Sequence, residues 1–185
     1  MSILIDDAGW GCLLGGTLIG AYQTKGEEMH IEEIPVEYFQ GARFLRQEYL
    51  DAATKAVKKL LLGLGVVRED ILICTGYVLK DARAMLAREG YNWRSGRITG
   101  PFQDAVEKEA LVYVERFTGL KLDSTSDYRD SFMACLAWLK GDNLDDGLPL
   151  PERERFAKTG WPSYPIWAYN PLDLAKALTR ERRER

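Results

Sequence analysis

Apolar and polar positions change period several times along the chain, and each change marks an element. Ser2-Ile3-Leu4-Ile5 is a short apolar run that ends on two adjacent acids, Asp6-Asp7, followed by Ala8-Gly9-Trp10-Gly11. A second apolar run covers residues 13–24, and Gly26 then marks a hairpin turn. Across 28–38, Met29, Ile31, Ile34, Val36 and Tyr38 interleave with glutamates at a period near two, as in a half-exposed strand. Three successive strands predict an antiparallel meander. Between 42 and 62 the period becomes helical, with Leu45, Tyr49, Ala52, Ala53, Ala56, Val57, Leu60 and Leu61 on one stripe. Gly63 and Gly65 close that helix. Ile71-Leu72-Ile73-Cys74, within 70–79, reads as a strand buried on both faces.

The second half is mostly helical. Lys80 to Arg88 predicts a short helix and 91–99 a further strand. Pro101 opens a long helix that Gly119 stops, with Val106, Ala110, Tyr113, Val114 and Phe117 inward. Asp123-Ser124-Thr125-Ser126 leads into a third helix ending near Leu139. Beyond Gly141 the character shifts. Residues 142–146 are an acidic loop, and 149–171 hold most of the prolines with Trp161, Tyr164, Trp167 and Tyr169. We read this part as an extended arm with an aromatic anchor, then a short helix from Leu172. The division expected is a domain over 1–145 and a C-terminal extension over 146–185. Three strands followed by strands alternating with helices predict an α/β fold, a mixed sheet flanked by helices.

Composition narrows the chemistry. At 185 residues, 46% hydrophobic and 29% charged, the chain has the make-up of a soluble domain with a sizeable core. No apolar run approaches the roughly 20 residues that cross a bilayer. The N-terminus lacks the basic region of a secretory signal, so the expected location is cytoplasmic. Cys12, Cys74 and Cys135 are odd in number and far apart, which reads as small buried hydrophobes rather than a disulfide framework or zinc site. With His30 the single histidine, histidine-based metal sites and catalytic triads have little material. A net charge of −3 opposes a broad nucleic-acid-binding face but leaves room for local basic patches around an acidic centre. The glycines at 9, 11, 15 and 16 lack the Gly-Lys-Ser/Thr ending of a phosphate loop.

The predicted element order resembles the ribonuclease H-like fold shared by ribonucleases H, Holliday-junction resolvases, integrases and related nucleases. Asp6-Asp7-Ala8-Gly9-Trp10-Gly11 looks like the Asp-Glu-Ala-Gly-Arg-Gly turn of type-2 ribonuclease H. More loosely, it looks like the Asp-Pro-Gly turn of the resolvases. Asp127-Tyr128-Arg129-Asp130 is similar to the Asp-x-x-Asp opening of the resolvase's final helix. The order spans residues 1–140, the motifs about fifteen of them. The resemblance implies a nuclease using Mg2+ or Mn2+, with Asp7, Asp127 and Asp130 catalytic and Asp6, Asp7, Asp127 and Asp130 as metal ligands. The ribonuclease likeness makes both Asp6 and Asp7 ligands; the resolvase likeness makes Asp7 the sole one. Adjacent strand residues point to opposite faces, so both project alike only if the turn begins between them. Asp127 and Asp130 share a helix face, and capping that helix is their competing role.

Two departures stand out. Where the resemblance calls for an acid after the buried strand, the chain reads Cys74-Thr75-Gly76-Tyr77, leaving Asp81, Asp104 or Glu107 as substitutes. Trp10 replaces the arginine that grips a 2′-hydroxyl, and either stacks on a base or anchors the turn. Lys80, Arg83, Arg94 and Arg97, with Arg88, make the best local basic cluster for a phosphate backbone, and equally a solvated face. A non-catalytic interaction protein on the same fold is the main alternative, with the aromatic arm as its protein-binding element. An actin-like phosphotransferase ranks last, since the chain has little room for a second half.

Overall fold

In the computed structural model, residues 2–123, 128–141 and 148–169 are described. The chain forms one five-stranded sheet in the order β3-β2-β1-β4-β5. The strands are β1 (Ser2–Ala8), β2 (Thr17–Gln23), β3 (Glu28–Ile34), β4 (Asp70–Ile73) and β5 (Trp93–Ser95). β1 pairs antiparallel with β2, β2 antiparallel with β3, and β1 parallel with β4, which is parallel with β5. A three-stranded meander joined at its first strand to two parallel strands is the mixed α/β sheet expected, in an order that resembles the ribonuclease H-like fold. β1 is the central strand, so whatever it carries at its C-terminal end lies at the middle of the sheet.

Alternation along β1 sends Ile3 and Ile5 to one face and Leu4 and Ala8 to the other. The first face is covered by α2 (Glu48–Gly63) and α3 (Lys80–Arg88), whose Leu50, Val57, Leu60, Met85 and Leu86 bury Ile3, Ile5, Ile19, Ile71 and Ile73. The second is covered by α4 (Pro101–Thr118), where Phe102, Val106 and Ala110 pack on Ala8 and Leu18. Gly20, midway along β2, is what lets α4 come close: a Cβ there would lie 2.5 Å from Val106 Cγ2. Pro101 supplies the fixed φ of a first helical residue, and Gly119, at φ 70°, caps the far end by donating to the Glu115 carbonyl at 2.8 Å.

Three expectations shift in the structure. The apolar run 13–24 is not one strand: β2 begins at Thr17, and Leu13 and Leu14 turn away into a separate cluster with Val114, Phe132, Leu136, Leu139 and Tyr164. The helix expected over 42–62 is broken at Gln47, which is left-handed (φ 57°), giving α1 (Gly41–Leu45) before α2. The break lets Phe44 stack on Tyr49 with centroids 5.3 Å apart. The described part of the arm is not extended either. It forms α6 (Leu150–Glu154) and α7 (Tyr164–Tyr169) and folds back on the turn after β1, behind α5 (Tyr128–Lys140). Gly15 donates to the Phe156 carbonyl at 2.8 Å and Lys158 to that of Leu13 at 2.9 Å. The physical reason is the apolar surface of Leu13, Leu14, Phe132 and Leu139, which this segment removes from water. The short helix expected from Leu172 lies outside the described residues.

Candidate functional site

β1 outlasts its parallel neighbour. Its pairing with β4 ends at Ile5 opposite Ile73, while its pairing with β2 continues through Ala8 opposite Leu18. Asp6 and Asp7 therefore sit where one flank of the central strand has opened. There the chain leaving β4 bends at Cys74, whose N–H still reaches the Ile5 carbonyl at 2.8 Å. The strand does not break between the two acids, yet their carboxylates meet around this open edge. One donor atom from each of Asp6, Asp7 and Cys74 lies within 4.8 Å of the others, the single such group of three among the described residues. The Asp7 N–H also donates to Asp6 Oδ1 at 3.0 Å.

Burial dominates the electrostatics. It pushes Asp6 above the ordinary aspartate range, adding to the charge of Glu107, against hydrogen bonds from the Cys74 thiol and the Asp7 N–H. Asp7 rises to about 6, through burial first and the Asp6 charge second, while Lys158 and Arg83 pull it down. Cys74 is driven up to about 11 by burial, so at neutral pH it is a thiol donating to Asp6 rather than a thiolate ligand. The loop that carries it is held by Arg83, whose guanidinium donates to the Cys74 carbonyl at 2.7 Å and the Gly76 carbonyl at 3.0 Å. Gly76 lies flat against Asp7: a Cβ there would sit 2.5 Å from Asp7 Oδ1.

Lys158, which no pattern in the sequence marks, is fully buried beneath the same turn. Its ammonium donates to the Gly9 and Trp10 carbonyls and lies 5.1 Å from the centre of the Phe39 ring. Burial lowers it from 10.5 to about 8, against the charges of Cys12, Cys135 and Asp7. Between those two values the unfolded chain holds the proton and the folded chain has lost it, so this group makes stability rise with pH from about 8 to 10.5. The rise is worth roughly 3 kcal/mol. Urea unfolding at pH 7.5 and pH 10, on wild type and Lys158→Met, is expected to show the gain in the wild type and a smaller one in the variant. Equal pH dependence in the two proteins would remove Lys158 as its source.

A cavity of about 340 Å³ opens beside the turn, lined by Asp7, Gly9, Cys12, Glu107, Ser131 and Cys135 among others. The structure thus brings Asp6, Asp7 and Glu107 to one place, Glu107 from α4. Asp130 is exposed in the first turn of α5, next to the cavity-lining Ser131 but outside the three-residue cluster. Asp127 lies outside the described residues. Asp81 and Asp104 are exposed on α3 and α4 and line neither this cavity nor the adjoining one of about 190 Å³. Trp10 packs against Phe39, Tyr49 and Tyr77, with centroids 5.9, 5.3 and 6.5 Å away, and anchors the turn. Lys80 lies over the Tyr77 ring at 4.8 Å, while Arg94 and Arg97 are exposed on β5 and the loop after it. Cys74 and Lys158 are the site residues that sequence reasoning missed. In the sequence Cys74 reads as a small buried hydrophobe and as the place where an acid is lacking.

No known protein family matches the chain, and no curated protein matches it. Among solved structures it is similar to the catalytic core domain of BIV integrase, at 12% identity and a TM-score of 0.36. That likeness covers 80% of this chain and 86% of that one. No helix among the described residues is long and apolar enough to cross a membrane.

Proposed function

We propose that the chain is a nuclease dependent on Mg2+ or Mn2+ that hydrolyses phosphodiesters of structured nucleic acid at the end of β1. The observation that carries this reading is the convergence of the Asp6 and Asp7 carboxylates at the open end of the central strand. The donor set fits a hard cation: two carboxylates supply oxygen ligands, and Mg2+ commonly takes one or two protein carboxylates and completes its shell with water and substrate phosphate. The fit is to the oxygens alone, because the Cys74 thiol keeps its proton and is a poor partner for such an ion. Two like charges held close and partly out of water are also a state that a divalent cation relieves. Such a cation supplies Lewis-acid activation of the phosphodiester and a nucleophilic water.

The chain's own residues have separate tasks in this reading. Asp6 and Asp7 hold the cation; Asp130, in the first turn of α5, is a further ligand, and Asp127 is carried over from the resemblance alone. Cys74, donating to Asp6, orients that carboxylate. Glu107 lines the same cavity and adds its charge to that of the two aspartates. Lys80, Arg94 and Arg97 line the phosphate path, and Arg83, committed to the loop carbonyls, shapes the site from behind. Trp10 holds the turn.

Calorimetric titration with Mn2+ tests the reading without a choice of substrate. The wild type is expected to give a saturable isotherm, and Asp7→Asn, shown folded by circular dichroism, an isotherm weakened by more than about 100-fold. Indistinguishable isotherms for the two folded proteins would overturn it and favour an interaction protein on the same fold.

A further inference from the structure

Two of the three thiols, which the sequence holds 123 positions apart, are in contact. Cys12 Sγ, in the turn after β1, lies 3.7 Å from Cys135 Sγ on α5. Both residues line the 340 Å³ cavity, Cys12 half-buried and Cys135 at 1% exposure. The Lys158 ammonium, buried beneath the turn, acts on both of them. We propose that Cys12 and Cys135 form a redox-active dithiol that closes to an intramolecular disulfide when a low-molecular-weight disulfide enters the cavity.

The geometry is close to what the bond needs. A disulfide places its sulfurs about 2.0 Å apart, so forming the bond asks the two sulfurs to approach by about 1.7 Å from their contact at 3.7 Å. Each partner also stands on a fixed support: Cys12 donates its N–H to the Gly9 carbonyl at 3.1 Å, and Cys135 is on the buried stripe of α5 with Phe132, Leu136 and Leu139. Cys12 is the attacking group, because it is the more exposed of the two and its thiol is lowered, chiefly by the hydrogen bond with Cys135 and further by the charge of Lys158.

The Cys12 thiolate displaces one thiolate from the reagent disulfide, giving a mixed disulfide and one free small thiol. Cys135 then gives its proton to the leaving sulfur and attacks Cys12 Sγ, breaking the mixed bond and releasing a second small thiol. Two electrons pass from the protein dithiol to the reagent, and the protein loses two hydrogens. The product ties α5, which bears Asp130, to the turn that follows Asp7. Cys74, hydrogen-bonded to Asp6 and away from this pair, takes no part. The proposal concerns sulfur alone and holds whether or not the acids bind a cation.

The test uses the full chain and oxidised glutathione. Alkylatable thiols are expected to fall from three to one, the intact mass to drop by two hydrogens, and a tryptic digest to join the peptides 1–25 and 130–140. In Cys135→Ser the resolving sulfur is gone, so Cys12 is expected to stop at the glutathione adduct. Three surviving thiols, a stable adduct on Cys12 in the wild type, or a link through Cys74 would each overturn the proposal. The wild-type thiol count decides it even if the variant fails to fold.

Discussion

Asp7→Asn is expected to make the folded chain more stable at pH 8 while it destroys the candidate cation site. The carboxyl of Asp7 titrates near 3.8 when unfolded and near 6 when folded, with burial as the leading cause. Between those values the folded chain binds the extra proton, so its contribution is favourable at low pH and is lost as the pH rises through about 6. The difference corresponds to roughly 3 kcal/mol if fully expressed. Asp7 is only half-buried, and water screens part of this, so a gain of about 2 kcal/mol above pH 6 is the expected size. An amide keeps the shape and removes the ionisation. Urea unfolding of both proteins at pH 4 and pH 8 checks it: near-equal stabilities at pH 4 and the variant ahead at pH 8. Added Mn2+ should then reverse the order at pH 8, since a ligand stabilises only the protein that binds it. A variant weaker than wild type at pH 8 without metal would show that Asp7 is there for packing.

Gly16→Ala is expected to carry the largest structural penalty. Gly16 runs against the end of β3, and a Cβ built on it would fall far inside van der Waals contact with the Ile34 carbonyl oxygen and 3.0 Å from its carbon. Both obstacles are backbone, so no rotamer change relieves them. The β2–β3 register at Thr17 opposite Ile34 has to open. Gly16 also donates its N–H to the Tyr113 hydroxyl at 3.3 Å, and Tyr113 in turn donates to Glu33, so the strain reaches α4. A loss of about 3 kcal/mol or more is expected, at the upper end for overpacking. The thermal midpoint of Gly16→Ala against Gly65→Ala would measure it. Gly65 has open space where its Cβ would lie, although its φ of 63° imposes a smaller backbone penalty of its own. Equal midpoints would show that the β3 end yields easily.

Much of the architecture was legible along the chain. Short apolar runs and one stretch of period two marked most of the strand regions, helical spacing marked the long helices, and Pro101 and Gly119 bounded α4 at both ends. Such signals are local, set by side-chain spacing within one element. The start of β2 was misplaced because Leu13 and Leu14 are as apolar as the strand they precede; only their partners, on α4, α5 and the C-terminal segment, differ. The break at Gln47 was hidden for the same reason, since helical spacing continues across it.

At the site, Asp6-Asp7 and the glycines after them were visible as an acidic strand end, and Glu107 as one of three acids able to approach it. What the sequence by itself determined is the set of elements and the acids at the end of the first strand, because both depend on near neighbours in the chain. The tertiary structure alone decided that β4 stops short of β1 and lets the carboxylates meet. It also brought the Cys74 thiol onto Asp6, placed Lys158 under the turn from 149 positions away, and set Cys12 against Cys135. Those contacts are made between segments distant in sequence. Their energies come from burial and from charges brought together by packing, which no local pattern records.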